Sequence, residues 1–336
     1  MNILVTGGAG FIGSNFIKHM LEKYPEVKIV NIDKLTYAGN LDNLKDIEAC
    51  INYQFVQGDI SDMSLVNSII KKHKINIIVN FAAESHVDRS IEDPAIFIQT
   101  NVLGTQTLLD AGYRNNISKF IQISTDEVYG SLGREGYFTE NSPLAPNSPY
   151  SASKAAADLL VRSYYETYHM NVNILRCSNN YGPFQFPEKL IPLMVTRALE
   201  NQYLPVYGDG LHVRDWLHVK DHCNAIDLVL RRGLPGEVYN IGSHNERPNI
   251  AMVKEIINYL GKSNALIKHV EDRKGHDRRY AIDSTKVMKE LDWEPTYHLD
   301  MGLKETIKWY LDNKQWWKNI INSQVKNDEK MIENVI

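Results

Sequence analysis

Thr6-Gly7-Gly8-Ala9-Gly10-Phe11-Ile12-Gly13 is the stretch that decides the fold, because it holds both Gly7-x-x-Gly10-x-x-Gly13 and the overlapping Gly8-x-Gly10-x-x-Gly13. Glycines at this spacing let a chain leave a strand, turn sharply and enter a helix, with the backbone near enough to touch a pyrophosphate. The flanks agree. Ile3-Leu4-Val5 reads as a strand and Phe11 to Lys23 as a helix. Lys28 to Ile32 reads as the next strand, and Asp33 ends it twenty positions beyond Gly13. A carboxylate there can hold ribose hydroxyls and would repel a 2′-phosphate, so NAD is the expected cofactor, held by Gly7, Gly10, Phe11, Ile12, Gly13 and Asp33. Asp59-Ile60, after the third strand, could flank the adenine or be ordinary loop residues.

Working outward, Tyr53 to Val56, Ile75 to Phe81, Phe120 to Ser124 and Val172 to Leu175 are further short, nearly all-apolar runs rich in Ile and Val. Such runs suit parallel strands buried on both faces. Helical stretches alternate with them: Met63 to His73, Ala95 to Arg114 and Pro149 to Tyr168. The pattern predicts an α/β fold, a doubly wound Rossmann-type parallel sheet with a smaller α/β substrate-binding lobe. After Tyr181, Pro183, Pro187, Pro192 and Pro205 break the rhythm. Further on, a helix at about 220–231, a strand near Val238 to Asn240, and helices near 252–260, 284–291 and 301–316 are expected. The expected division gives residues 1–178, with a return at about 211–243, to the NAD-binding domain. Residues 179–210 and 244–322 form the sugar-nucleotide lobe, and 323–336 a polar, frayed tail.

With 336 residues, 43% hydrophobic and 23% charged, the chain can build a sizeable core. A net charge of −4 gives no reason to expect nucleic acid as a partner. No apolar run approaches a membrane span, and Met1 to Val5 lacks the features of a signal peptide. Three scattered cysteines point to a reducing, cytoplasmic setting, and eleven scattered histidines give no motif for a metal site.

Tyr150-x-x-x-Lys154 puts a phenol and an ammonium on one helical face. A nearby cation favours the phenolate, so Tyr150 is a candidate base and Lys154 its activator. Together with the glycine stretch, this pair resembles the extended short-chain dehydrogenase/reductase family, whose members act mostly on nucleotide sugars. The resemblance implies that Thr125 is the hydroxyl bonding the sugar oxygen being oxidised, and that Lys154 also holds the nicotinamide ribose.

Ser124-Thr125-Asp126-Glu127-Val128-Tyr129-Gly130 separates the branches of that family. A 4-epimerase needs hydride transfer and a phenol, whereas dehydration also needs a base at C5 and an acid at C6. Asp126-Glu127 supplies two carboxylates at the end of a strand, where open α/β sheets bind ligands. Close carboxyls have their pKa values pushed apart, although sequence alone does not tell which one rises. Neighbours on an extended strand point to opposite faces, so the backbone must leave strand geometry for both to meet one sugar.

The whole chain is similar to the dTDP-glucose 4,6-dehydratase branch, which implies Glu127 as the C5 base and Asp126 as the C6 acid. It further implies NAD contacts at Lys34, Leu35, Thr36, Asp59, Ile60, Ala82, Ala83, Ser85, Thr100 and Asn180. For dTDP-glucose it implies Ser85, Asn179, Glu188, Lys189, Leu190, Pro205, Tyr207, Arg214, Asn249, Arg273 and His276. Lys274 departs from the branch, which commonly has proline there. The product would be a 4-keto-6-deoxy sugar of the kind that leads to rhamnose. A 4-epimerase, or a dehydratase for another nucleoside diphosphate sugar, is the alternative. The helices at about 95–114 and 149–168 resemble those of a four-helix homodimer interface in this group, although they could equally finish the monomer core.

Overall fold

The computed structural model describes residues 1–333, with side chains through residue 323. Twelve strands are described in chain order: β1 (Asn2–Thr6), β2 (Lys28–Asp33), β3 (Tyr53–Gln57), β4 (Ile77–Asn80), β5 (Lys119–Thr125), β6 (Val172–Cys177), β7 (Asn179–Tyr181), β8 (Leu204–Tyr207), β9 (Val213–His218), β10 (Val238–Ile241), β11 (Glu246–Pro248) and β12 (Ile267–Val270). Seven of them form one parallel sheet in the order β10-β6-β5-β4-β1-β2-β3. This is the doubly wound Rossmann-type sheet expected from the alternating pattern. Strands β4, β5 and β6 are buried along their whole length, while the edge strand β3 is only half-buried. The strand order reverses between β1 and β4, so the loops after β1, β2 and β4 open onto one crevice.

Strand periodicity divides the core. Ile3 and Val5 face one hydrophobic cluster with helices Phe11–Lys23 and Val219–Arg232, and Leu4 faces another with helices Met63–His73, Thr105–Arg114 and Pro149–Tyr168. A third cluster, around Met194, Met252, Leu303, Tyr310 and Trp317, lies under the β11-β9-β7 and β12-β8 sheets. The chain comes back to the large sheet through β10, which pairs with β6. β9 instead pairs with β7 and β11. No described helix is long and apolar enough to cross a membrane.

Several helical segments differ from the sequence reading. The helix expected at 95–114 contains a π-helical turn, Ile98–Gly104, between α-helical Pro94–Phe97 and Thr105–Arg114. Wider turns of this kind concentrate at functional sites. The helix expected at 301–316 is two helices, Leu299–Asp312 and Lys314–Glu333, separated at Asn313. The second runs through the segment expected to fray, because residues 314–333 contain neither glycine nor proline to end it; residues 334–336 lie outside the described residues. Helix Leu190–Leu199 also went unread: Pro192 falls in its first turn, where no backbone N–H is needed.

Candidate active site

At the crevice, Gly7 sits in the left-handed region at φ +66°, and a Cβ there would lie 2.7 Å from the backbone of Ala82. A Cβ on Gly13 would lie 2.5 Å from the carbonyl oxygen of Gly7. The turn is therefore built to bring bare backbone against the next strand end, a shape that fits a dinucleotide pyrophosphate at the N-terminus of helix Phe11–Lys23. Asp33 accepts from Ala9 N at 2.9 Å and from Leu35 N at 2.8 Å, which fixes the carboxylate beside the turn. Burial raises its pKa, opposed by those two N–H groups. Lys34 pairs with Asp59 at 2.7 Å.

All but one of the residues expected around NAD line this cavity: Gly7, Gly10, Phe11, Ile12, Gly13, Asp33, Lys34, Thr36, Asp59, Ile60, Ala82, Ala83, Ser85, Thr100, Tyr150, Lys154 and Asn180. Leu35 does not border it. Its backbone is left-handed at φ 57°, and its side chain packs against the core beneath the sheet. What it offers the site is its N–H, donated to Asp33.

A second cavity adjoins the first. It is lined by Leu190, Pro205, Tyr207, Arg214, Asn249, Arg273 and His276, all expected at the sugar nucleotide. Ser85, Glu127, Asn179, Glu188 and Lys189 line both cavities, which therefore meet along these residues.

The geometric obstacle at Asp126-Glu127 is resolved by the backbone. β5 stops at Thr125, and Asp126–Tyr129 forms a 3-10 turn whose N-cap is the Thr125 hydroxyl, accepting from Glu127 N at 3.2 Å. Both carboxyl groups thereby border the cavity that Tyr150 and Lys154 border. Their environments differ. Burial pushes the Asp126 carboxyl far above its ordinary range, and the neighbouring Glu127 adds to this; one of its oxygens has no hydrogen-bond partner. Glu127 is also raised by burial, but Arg214, Lys189 and Arg273 oppose the rise. The three cations favour the ionised form of Glu127, whereas the Glu127 charge favours the protonated form of Asp126.

Above the unfolded value near 4, a carboxyl whose pKa is raised on folding opposes folding more as the pH climbs. Asp126→Asn is accordingly expected to raise the melting temperature at pH 7 by about 2 °C while lowering turnover, as read by calorimetry and product assay. A lower melting temperature would contradict a carboxyl whose pKa is raised on folding.

The phenol and the ammonium sit in different surroundings. Lys154 Nζ donates to Ile123 O at 2.7 Å, and burial lowers its pKa. Burial and then Glu127 hold the Tyr150 phenol well above its ordinary value, with Thr125 acting the other way through a hydrogen bond. The two side chains border one cavity, and the ammonium is anchored on the strand through one of its N–H groups.

Four groups escaped the sequence reading. Asp88 holds Arg273 through two bonds, at 2.6 and 2.9 Å, and accepts from Tyr207 at 3.3 Å. It lies three residues beyond Ser85, an expected contact, so it lay within reach. Asp277 accepts from Asn147 at 2.6 Å and from the Tyr280 hydroxyl at 2.6 Å, its carbonyl takes Arg214 Nη2 at 2.9 Å, and the Tyr280 ring lies under Arg214 at 4.3 Å. Neither residue had a signal in an irregular segment. Nor did His212, which with Asp272 and His276 brings three ligand atoms within 4.8 Å, where sequence gave no metal motif. The two imidazoles are stacked 3.6 Å apart and 16° from parallel, so their lone pairs do not converge on one point. The stack instead holds His276, bonded to Asp272 at 2.7 Å, at the wall of the second cavity.

Comparison with known proteins gives concordant results. The family model described as GDP-mannose 4,6 dehydratase matches residues 4–306. The dTDP-glucose 4,6-dehydratase of Xanthomonas campestris pv. campestris strain B100 is 50% identical over 341 residues, covering 96% of this chain and 97% of the relative. A crystal structure of the Bacillus anthracis dTDP-glucose 4,6-dehydratase in complex with NAD is 57% identical, with a TM-score of 0.90, covering 95% of this chain and 99% of that one. UDP-glucose 4-epimerase of Thermotoga maritima, solved with UDP-glucose, shares the fold at a TM-score of 0.87 but only 30% identity, over 93% and 99% of the two chains.

Proposed function

From the premise that the chain belongs to the GDP-mannose 4,6 dehydratase family, we propose that it is an NAD-dependent carbon–oxygen lyase converting dTDP-glucose to dTDP-4-keto-6-deoxyglucose. One observation carries the reading. The 3-10 turn brings Asp126 and Glu127 to the cavity wall that Thr125 and Tyr150 also line, and this is more machinery than epimerisation uses. Bound NAD supplies a hydride acceptor for C4 that can return the hydride to C6, and its positive charge eases formation of the Tyr150 phenolate.

The chain's own residues do the rest. Tyr150 takes the C4 hydroxyl proton, with Thr125 hydrogen-bonded to the same oxygen. The C4 ketone acidifies C5–H, and ionised Glu127 removes that proton. Protonated Asp126 delivers its proton to the C6 oxygen as water leaves. Arg214, Arg273 and Lys189 meet the diphosphate's charge and orient the sugar between the two cavities. We assign residues 1–178 with 211–243 to the cofactor domain, and 179–210 with 244–322 to the sugar-nucleotide lobe. Three unpaired cysteines fit a cytoplasmic enzyme supplying deoxysugars such as rhamnose.

The test is incubation with dTDP-, UDP-, GDP- and CDP-glucose. Formation of the 4-keto-6-deoxy product fastest from the dTDP sugar is expected; a C4 epimer as product would overturn the reading. A homodimer is also proposed, because Leu103, Tyr113, Leu159 and Tyr168 expose apolar surface on the two long helical segments. Light scattering should give twice the chain's 38.5 kDa, and a mass equal to one chain would refute the dimer.

A further inference from the structure

Behind the cavity, a buried polar chain connects the turn that carries the acids to the helix that carries the phenol. Arg176 lies on β6, in register with Ser124 on β5, one residue before Thr125. Its Nε donates to Asp158 Oδ2 at 2.9 Å, and its Nη1 donates to the Tyr129 hydroxyl at 2.9 Å. That hydroxyl in turn donates to Asn240 Oδ1 at 2.8 Å. All four residues are buried. Tyr129 closes the 3-10 turn that begins at Asp126, and its ring stacks on Phe138 at 5.0 Å. Asp158 stands on helix Pro149–Tyr168, one turn beyond Lys154 and two beyond Tyr150, on the same face.

A buried ion pair of this kind adds little to stability compared with apolar residues of equal volume; what it does fix is relative placement. Placement is what a two-stage reaction on one sugar needs, since Glu127 must reach C5 from the pose in which Tyr150 reaches the C4 oxygen. A misplacement of about 1 Å costs on the order of a hundredfold in rate.

We propose that Arg176, Tyr129 and Asp158 are positioning residues that lock the Asp126–Glu127 turn to the Tyr150–Lys154 helix, setting the rate of water loss relative to C4 oxidation. The inference rests on the dehydratase reading. None of the three borders either cavity, so they act through the groups that do.

The test is Tyr129→Phe in the full chain with dTDP-glucose, quenched with borodeuteride to trap both the C4 ketone that still carries its C6 hydroxyl and the 4-keto-6-deoxy product. The variant keeps the stacked ring and loses only the hydroxyl. C4 oxidation and KM should stay within about twofold, while water loss slows about tenfold and the C6-hydroxylated ketone accumulates. Arg176→Lys, which retains charge opposite Asp158 without the two-pronged contact, should shift the ratio the same way. If it does not fold, Tyr129→Phe decides alone. Equal loss of both steps, or an unchanged ratio, overturns the positioning role. Absence of 4-keto-6-deoxy product from the unaltered protein overturns the dehydratase reading, and this inference with it.

Discussion

Tyr150→Phe should abolish C4 oxidation while leaving the fold and substrate binding in place. The ring sits edge-on to Phe97 at 6.3 Å and 76°, a contact phenylalanine keeps. What disappears is the proton acceptor for the C4 hydroxyl, without which hydride cannot leave C4. General-base removal costs roughly 10²–10⁴ in rate, so kcat should fall about a thousandfold, near 4 kcal/mol, with KM within about threefold. Because the phenol is held well above its ordinary pKa by burial and by Glu127, the remaining activity should also lose its rise towards alkaline pH. Single-turnover oxidation followed at both neutral and alkaline pH checks this. A loss below tenfold would mean that another group accepts the proton.

Glu127→Gln should separate the two stages. The amide keeps the shape and removes the base, so C4 oxidation should slow by less than about tenfold while water loss falls about a thousandfold. Part of the modest effect on oxidation is favourable in sign, since Glu127 raises the Tyr150 pKa and its charge goes with the substitution. Three cations, Arg214, Lys189 and Arg273, act on Glu127 and would lose its opposing charge, so the nucleotide diphosphate should bind at least as tightly. Rapid-quench mass spectrometry that counts the C4 ketone and the dehydrated product separately makes the measurement. Equal loss of both steps would remove Glu127 from its assigned role.

The sheet was legible because each of its strands is a short apolar run whose burial does not depend on an unusual partner, and because glycine spacing and Asp33 mark where the first two strands end. The acid pair was legible as chemistry but not as geometry. Periodicity ends with the strand, and a four-residue 3-10 turn capped by a threonine hydroxyl leaves no repeat to read. The same limit applies to β7, β9 and β11, three to six residues long, which exist through pairing with segments tens of positions away. For Lys154, spacing sets the face of the helix, whereas the carbonyl its ammonium finds, Ile123 O, comes from a strand 31 residues earlier. Asp88 shows a different gap. A charge three residues from an expected contact looks solvated until its partner, Arg273, is brought to it from 185 positions away.

The most direct measurement uses dTDP-glucose carrying deuterium at C4, converted in ordinary water and read by NMR. The account predicts deuterium at C6 of the 4-keto-6-deoxy product and none at C5. Deuterium released to the solvent, or retained at C4 of a rearranged sugar, would contradict it.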